Sequence, residues 1–145
     1  MKLSCNMKKK VSKAKLLRRL KNLADKLWSQ YIHLRDGVCQ MCGATEKLAA
    51  HHCIVRKALS NHSRWLPDNG ILLCFKCHIL GVHHEGTRDF LKKFVEILDK
   101  MFTPEQQQRV KDLSKEKSAI DLARMEETVA GLKAKIAELK PANSK

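Results

Sequence analysis

An α+β fold, mainly helical, is what the sequence predicts, with a small two-stranded core set between a basic N-terminal helix and C-terminal helices. Three observations lead there. Leu16, Leu20, Leu23, Leu27, Tyr31 and Leu34 step by three or four residues, as one face of a helix requires. Residues 37–86 show no such period and hold almost all the cysteine and histidine of the chain. Helical patterns then resume between Thr87 and Leu139. A length of 145 residues suits one modest domain with helical arms.

Composition narrows the classes. Hydrophobic residues make up 43% and charged residues 30%, which is the balance of a folding chain rather than a disordered one. Only 5% is aromatic, so the core must be mostly Leu, Ile, Val and Ala. The net charge of +14 points to a polyanionic partner, usually nucleic acid. The charge is concentrated at one end. Residues 1–35 carry 11 Lys and Arg against Asp25 alone, whereas 36–103 and 104–145 each carry 9 basic and 7 acidic residues. No segment is long and apolar enough to span a membrane, and Met1 to Lys10 lacks the apolar stretch of a secretory signal. The expectation is an intracellular protein with no membrane partner. In a reducing compartment six cysteines point to metal rather than disulfides.

The elements follow in order. Residues 8–35 read as one helix, its apolar stripe serving core packing. Lys13, Arg18, Arg19, Lys21 and Lys26 fall largely off that stripe, on a face able to track phosphates. Asp36-Gly37 ends the helix. Residues 37–86 read as a compact ββα unit, with 57–70 a long loop closed by a turn at Pro67 to Gly70. Thr87 is an N-cap, and Phe90, Leu91, Phe94, Val95, Leu98 and Met101 supply a buried face behind it. Thr103-Pro104-Glu105-Gln106 combines an N-cap, a proline at the first helical position and a capping-box glutamine. A last helix runs from about Ser118 to Leu139. Its Leu122, Met125, Val129, Leu132, Ile136 and Leu139 form a short heptad seam, for packing on the N-terminal helix or, as a second reading, for a homodimer through residues 118–139. The division is thus 1–35, a basic tail and helix; 36–86, the cysteine- and histidine-rich core; and 87–145, the C-terminal helices.

Cys39-Gln40-Met41-Cys42 and Cys74-Phe75-Lys76-Cys77 are two C-x2-C knuckles. Each tight turn can bring two sulfurs to one ion, and two such pairs close a tetrahedral structural Zn²⁺ site; an iron–sulfur cluster is the minor alternative. Cys5 is left to the N-terminal tail and Cys53 to packing beside the site. Five of the seven histidines are the adjacent pairs His51-His52 and His83-His84 and, next to the second knuckle, His78. Such clustering is more than packing needs.

Cys39-x2-Cys42, Ala50-His51-His52, Asp68-Asn69-Gly70, Leu73-Cys74-x2-Cys77-His78 and His83 together resemble the HNH endonuclease family in its four-cysteine zinc subclass. The flanks Lys26-Leu27-Trp28, Arg35-Asp36-Gly37 and Asp68 to Cys74 are similar to small phage-borne HNH and recombination-type proteins. The resemblance covers roughly residues 26–90. It implies a zinc-stapled ββα-metal core and metal-dependent hydrolysis of DNA phosphodiester bonds, leaving 5′-phosphate and 3′-hydroxyl ends. It implies His52 as general base, suited by an unperturbed imidazole pKa of about 6.5, and Asn69 as the residue that orients this base and helps hold the loop. His51, His78 and His83 are implied as ligands of a catalytic divalent metal, Mg²⁺ or Mn²⁺ in the first place, with Ni²⁺, Co²⁺ or Zn²⁺ suited to so histidine-rich a set. One departure stands out. His83 follows His78 by five residues, roughly 140° around an ideal α-helix, so either the helix ends near Gly81 or a bulge carries His83 round, unless His84 takes its place.

The remaining candidates are Arg56, Lys57 and Arg64, which flank the histidine pair and would contact phosphates, as would Lys13, Arg18 and Arg19 on the first helix. Trp28 and Trp65 read as core anchors, and His33 and His62 as surface or packing residues. Two further readings use the same features: a zinc-stapled DNA-binding module without turnover, and an adaptor that dimerises through its C-terminal helix.

Overall fold

The computed structural model describes residues 11–140, with the side chains of residues 83–85 outside that description. Cys5 and residues 8–10, the first of the predicted helix, also lie outside the described residues.

Helix α1 spans Lys13–Asp36. Ser12 caps it from an extended backbone, its hydroxyl accepting the Lys15 N–H at 3.3 Å. Gly37 closes it at φ 70°, a left-handed conformation that glycine adopts without Cβ strain, and its N–H returns to the His33 carbonyl. Strand β1, Leu48–His52, pairs antiparallel with β2, Gly70–Cys74, so that His51 stands opposite Ile71 and His52 opposite Gly70. Short 3-10 turns at Lys57–Leu59, Asn61–Ser63 and Pro67–Asn69 organise the connection between them, the predicted long loop. A π-helix, Lys76–Glu85, follows β2. Helices α2 (Arg88–Met101), α3 (Pro104–Lys115) and α4 (Leu122–Leu139) complete the chain. The protein is mainly helical with one small sheet, the α+β class expected.

The hairpin is the middle layer of three. Successive side chains of a strand point to opposite faces, and in β2 both faces are buried. Ile71 and Leu73 pack with Cys39, Met41, Cys77, Phe94, Leu98 and Phe102, the layer of the knuckles and α2. Leu72 packs the other way, with Ala24, Trp28 and Ile32 of α1 and Met125, Val129 and Leu132 of α4. An isolated hairpin is marginal in water. Here three wholly buried residues contribute about 2 kcal/mol each from one strand, which fixes the sheet between its neighbours.

Both α1 and the C-terminal helices depart in detail from expectation. The buried stripe of α1 is Ala24, Trp28 and Ile32, supported by Leu17, Leu20, Leu27 and Tyr31. Leu16, Leu23 and Leu34, assigned to the core from their spacing, are exposed. The stripe is rotated because Ala24 is small enough to admit Met125 and Val129 of α4. In α2 Phe94 and Leu98 are the buried residues, while Leu91 and Val95 face outward. Helix α4 begins at Leu122 rather than Ser118, since Asp121 caps it by accepting the Arg124 N–H at 2.8 Å. The capping box of α3 is complete, Thr103 and Gln106 each bonding the other's backbone N–H. The α4 seam packs inside the chain, as the first of its two readings has it: Met125, Val129 and Leu132 are buried in the cluster with α1. No helix among the described residues is long and apolar enough to cross a membrane.

Candidate active site

The end of α1 aligns the start of β2. Arg35 donates to the carbonyls of Pro67 (2.9 Å) and Gly70 (2.6 Å), while the Asp36 carboxylate accepts the Leu72 N–H at 2.8 Å and pairs with Arg35. Gly70 itself touches α1. A Cβ there would lie 2.5 Å from Ile32 Cδ1 and 2.6 Å from Trp28 Cζ2, so this approach admits no side chain.

The four knuckle cysteines converge. Their sulfurs all lie within 4.8 Å of one another, and Cys42 Sγ is 3.7 Å from Cys74 Sγ. A disulfide would need about 2.05 Å. Four thiolates around one Zn²⁺ at about 2.3 Å stand about 3.8 Å apart, the edge of the tetrahedron. The donor set therefore fits a structural metal, and zinc suits it best. Cys39, Cys74 and Cys77 are buried and Cys42 is exposed, so one edge of the site is open. Burial pushes the Cys39 thiol up, but the main-chain groups of Cys74, Cys42 and Met41 outweigh it and hold the thiol down at about 7. Cys53 stays outside the set. It packs on the knuckle-side core, and burial pushes its thiol up to about 12.

The histidines diverge as the pleat requires. His51, paired with Ile71, turns toward the knuckle layer, where its ring meets His78 edge-on at 4.7 Å between centroids and Phe94 at 6.4 Å. His52, paired with Gly70, turns toward α1 and stacks on Trp28 at 4.1 Å and 14°. The absent Cβ of Gly70 makes room for that indole. Both histidines and His78 still border one cleft of about 350 Å³, shared with Arg56, Lys57 and Ala58.

His52 Nε2 lies 2.9 Å from the Arg64 carbonyl. A carbonyl only accepts, so Nε2 carries the proton and Nδ1 of the neutral ring is its acceptor. Burial lowers the His52 pKa; the Arg64 carbonyl opposes this, the charges of Lys57 and Arg64 lower it further, and Asp25 acts the other way. The net shift is downward, which leaves the ring neutral at pH 7.

Asn69 departs from the half of its expected role that has it bond His52, and keeps the half that has it hold the loop. It is wholly buried, and its Oδ1 accepts the N–H groups of Ile54 (3.0 Å) and Val55 (2.9 Å) while Nδ2 donates to the Val55 carbonyl at 2.9 Å. It holds the loop leaving β1 and does not bond the His52 ring. Trp28 and the Arg64 carbonyl orient that ring instead. Arg64 is likewise not a free cation: it pairs in bidentate fashion with Asp25 at 3.0 and 2.6 Å. Arg56 and Lys57 are exposed at the cleft, and Lys13, Arg18 and Arg19 are exposed on α1. His62 binds the Ser118 carbonyl at 2.9 Å, tying the loop to the approach of α4.

The His51 and His78 rings are neighbours at the cleft, and imidazole nitrogens are common ligands of divalent metals. The side chain of His83 lies outside the described residues. Its backbone belongs to the π-helix, whose i→i+5 bonding sets position 83 one turn beyond position 78.

Knuckles before and after the hairpin in the chain, meeting at its open end, and a histidine at the head of the following helix invite comparison with known proteins. Residues 39–80 match the family model described as HNH endonuclease. The match takes in both knuckles, the histidine pair, Asn69 and His78, and stops before His83. No curated protein and no solved structure matches the chain. Sequence reasoning missed Asp25 and gave Trp28 only a packing role, although both contact the matched segment from outside. The signal for Asp25 was present: it is the single acid among the first 35 residues.

Proposed function

We propose that the protein is a metal-dependent HNH endonuclease that hydrolyses DNA phosphodiester bonds, with His52 as general base. The observation that carries this reading is the cleft in which the HNH segment brings His51, His52 and His78 together beside Arg56 and Lys57. A divalent cation held by His51 and His78, with His83 as third ligand, would supply charge neutralisation at the phosphate.

The chain's own residues do the rest. His52 is neutral and has its Nε2 proton committed to the Arg64 carbonyl, so Nδ1 takes the proton from the attacking water. The same carbonyl then stabilises the imidazolium that results. Trp28 holds the ring plane, and Gly70 leaves the space for it. Asn69 fixes the loop that bears Arg56 and Lys57, whose charges face the cleft and would contact flanking phosphates. Lys13, Arg18 and Arg19 extend the basic surface along α1, and residues 36–86 act as the catalytic unit with the helices as its supports.

The test is cleavage of supercoiled plasmid by wild type and His52→Ala in Mg²⁺, Mn²⁺, Ni²⁺ and EDTA. The expected outcome is metal-dependent nicking that disappears in a folded, zinc-loaded His52→Ala. Salt-sensitive DNA binding without cleavage by wild type would instead support the zinc-stapled binding module.

A further inference from the structure

Asp25 sits on α1, outside the HNH segment, with its side chain 30% exposed. Its Oδ1 accepts from Arg64 Nε at 3.0 Å and from Trp65 Nε1 at 2.9 Å, and its Oδ2 accepts from Arg64 Nη2 at 2.6 Å. Lys57 Nζ stands 3.9 Å away. One helical turn later, Trp28 Nε1 donates to the Leu66 carbonyl at 2.9 Å. Three consecutive residues, 64 to 66, are therefore tied to α1 by side chains. No strand ladder holds them. Their backbone bonds are the single-turn contacts of Arg64 N–H to Asn61, Leu66 N–H to Ser63 and Asn69 N–H to Leu66. Yet this segment supplies the carbonyl on which His52 Nε2 is anchored.

We propose that Asp25 is a positioning residue for His52: through Arg64 and Trp65 it holds the Arg64 carbonyl that keeps His52 in its Nε2–H tautomer. The effect on activity rests on the general-base reading of His52; the effect on the ring does not. A bidentate Arg–carboxylate pair supplies orientation as well as attraction. At this exposure it adds little to global stability. The acid is isolated in a basic helix because the loop needs an acceptor there, and a Lys or Arg at position 25 would repel Arg64 and Lys57.

The alternative is that Asp25 only tempers the positive charge beside the cleft. The two roles separate kinetically. Removing Asp25 frees Arg64 and Lys57, so a charge-tempering role predicts tighter DNA binding, a lower KM and an unchanged kcat. A positioning role predicts a kcat loss of about tenfold or more, as for loss of a partner that fixes an imidazole tautomer.

The experiment uses the full, zinc-loaded chain as wild type, Asp25→Ala, Asp25→Asn and His52→Ala. ¹⁵N-histidine spectra report the ring nitrogens, with His52 assigned by its absence in His52→Ala, and plasmid nicking reports kcat and KM. Wild type should show protonated Nε2 and unprotonated Nδ1. Asp25→Ala should show a mixture of tautomers and the kcat loss. Should Asp25→Ala fail to fold, Asp25→Asn decides on the same two readouts, since it keeps an acceptor for Trp65 but loses the charged fork. A wild-type ¹⁵N pattern in the folded variants overturns the proposal, and so does a change confined to KM. If His52→Ala cleaves as well as wild type, the general-base reading fails. The ¹⁵N pattern then still decides whether Asp25 holds the ring, a tautomer mixture upholding it and a wild-type pattern overturning it.

Discussion

Asn69→Ala separates two accounts of the buried asparagine at the end of the β1–β2 connection. In the structure Asn69 is wholly buried and serves three main-chain groups: the N–H groups of Ile54 and Val55 and the Val55 carbonyl. Alanine leaves all three without their partner. Each orphaned buried group costs about 1–3 kcal/mol, and water entering the vacated space recovers part of that, for a total of about 3–5 kcal/mol. In a chain of this size 1 kcal/mol moves Tm by about 2–4 °C, so the expected fall is about 6–20 °C. The assay is thermal unfolding followed by circular dichroism at fixed, saturating zinc, because metal linkage would otherwise shift the baseline. An Asn that acted by bonding His52 would give the opposite pattern, lost cleavage with Tm retained. A Tm within about 2 °C of wild type would refute the loop-holding role assigned here.

Three further outcomes follow from the same geometry. Gly70→Ala places a Cβ 2.5 Å from Ile32 Cδ1 and 2.6 Å from Trp28 Cζ2. It should cost about 1–3 kcal/mol by overpacking and displace Trp28 from His52, and a wild-type Tm together with wild-type cleavage would contradict this. Metal analysis should find one Zn²⁺ at the four cysteines per chain, and Cys74→Ser or a chelator should abolish cooperative unfolding, because metal binding and folding are linked; full thermal stability after chelation would remove zinc from the fold. Glu105, at the start of α3, has its carboxyl lowered by its own backbone N–H and by Thr103. A lowered folded-state value means a contribution present above the ordinary carboxylate range and lost as pH falls through the folded value. The small Tm difference between wild type and Glu105→Gln should therefore be present at pH 7 and vanish in acid, and a difference that grew with acidification would reverse the assignment.

Local signals carried much of this protein. The knuckles at 39–42 and 74–77 announced a shared ion because C-x2-C spacing constrains two sulfurs by itself, and the sulfurs do converge. Thr103-Pro104-Glu105-Gln106 specified its helix start completely, since a capping box is closed within four residues. Periodicity located α1 but chose the wrong stripe. Leucine spacing ranks hydrophobicity, whereas burial went to the line through Ala24, Trp28 and Ile32 that α4 can approach. The same limit applied to Leu91 and Val95 in α2, which are apolar but about half exposed.

The sequence by itself determined the α+β class, the four-cysteine set and the histidines that gather at the cleft, because each is written in spacings of a few residues. Only the tertiary structure decided how those histidines are used. Pleat alternation sent His51 toward His78 and His52 toward Trp28. Asn69 went to the backbone of Ile54 and Val55, and Asp25 to Arg64 and Trp65, 39 and 40 residues away. Hydrogen bonds across such separations depend on where packed layers bring polar atoms within about 3 Å, and no local pattern along the chain encodes that distance.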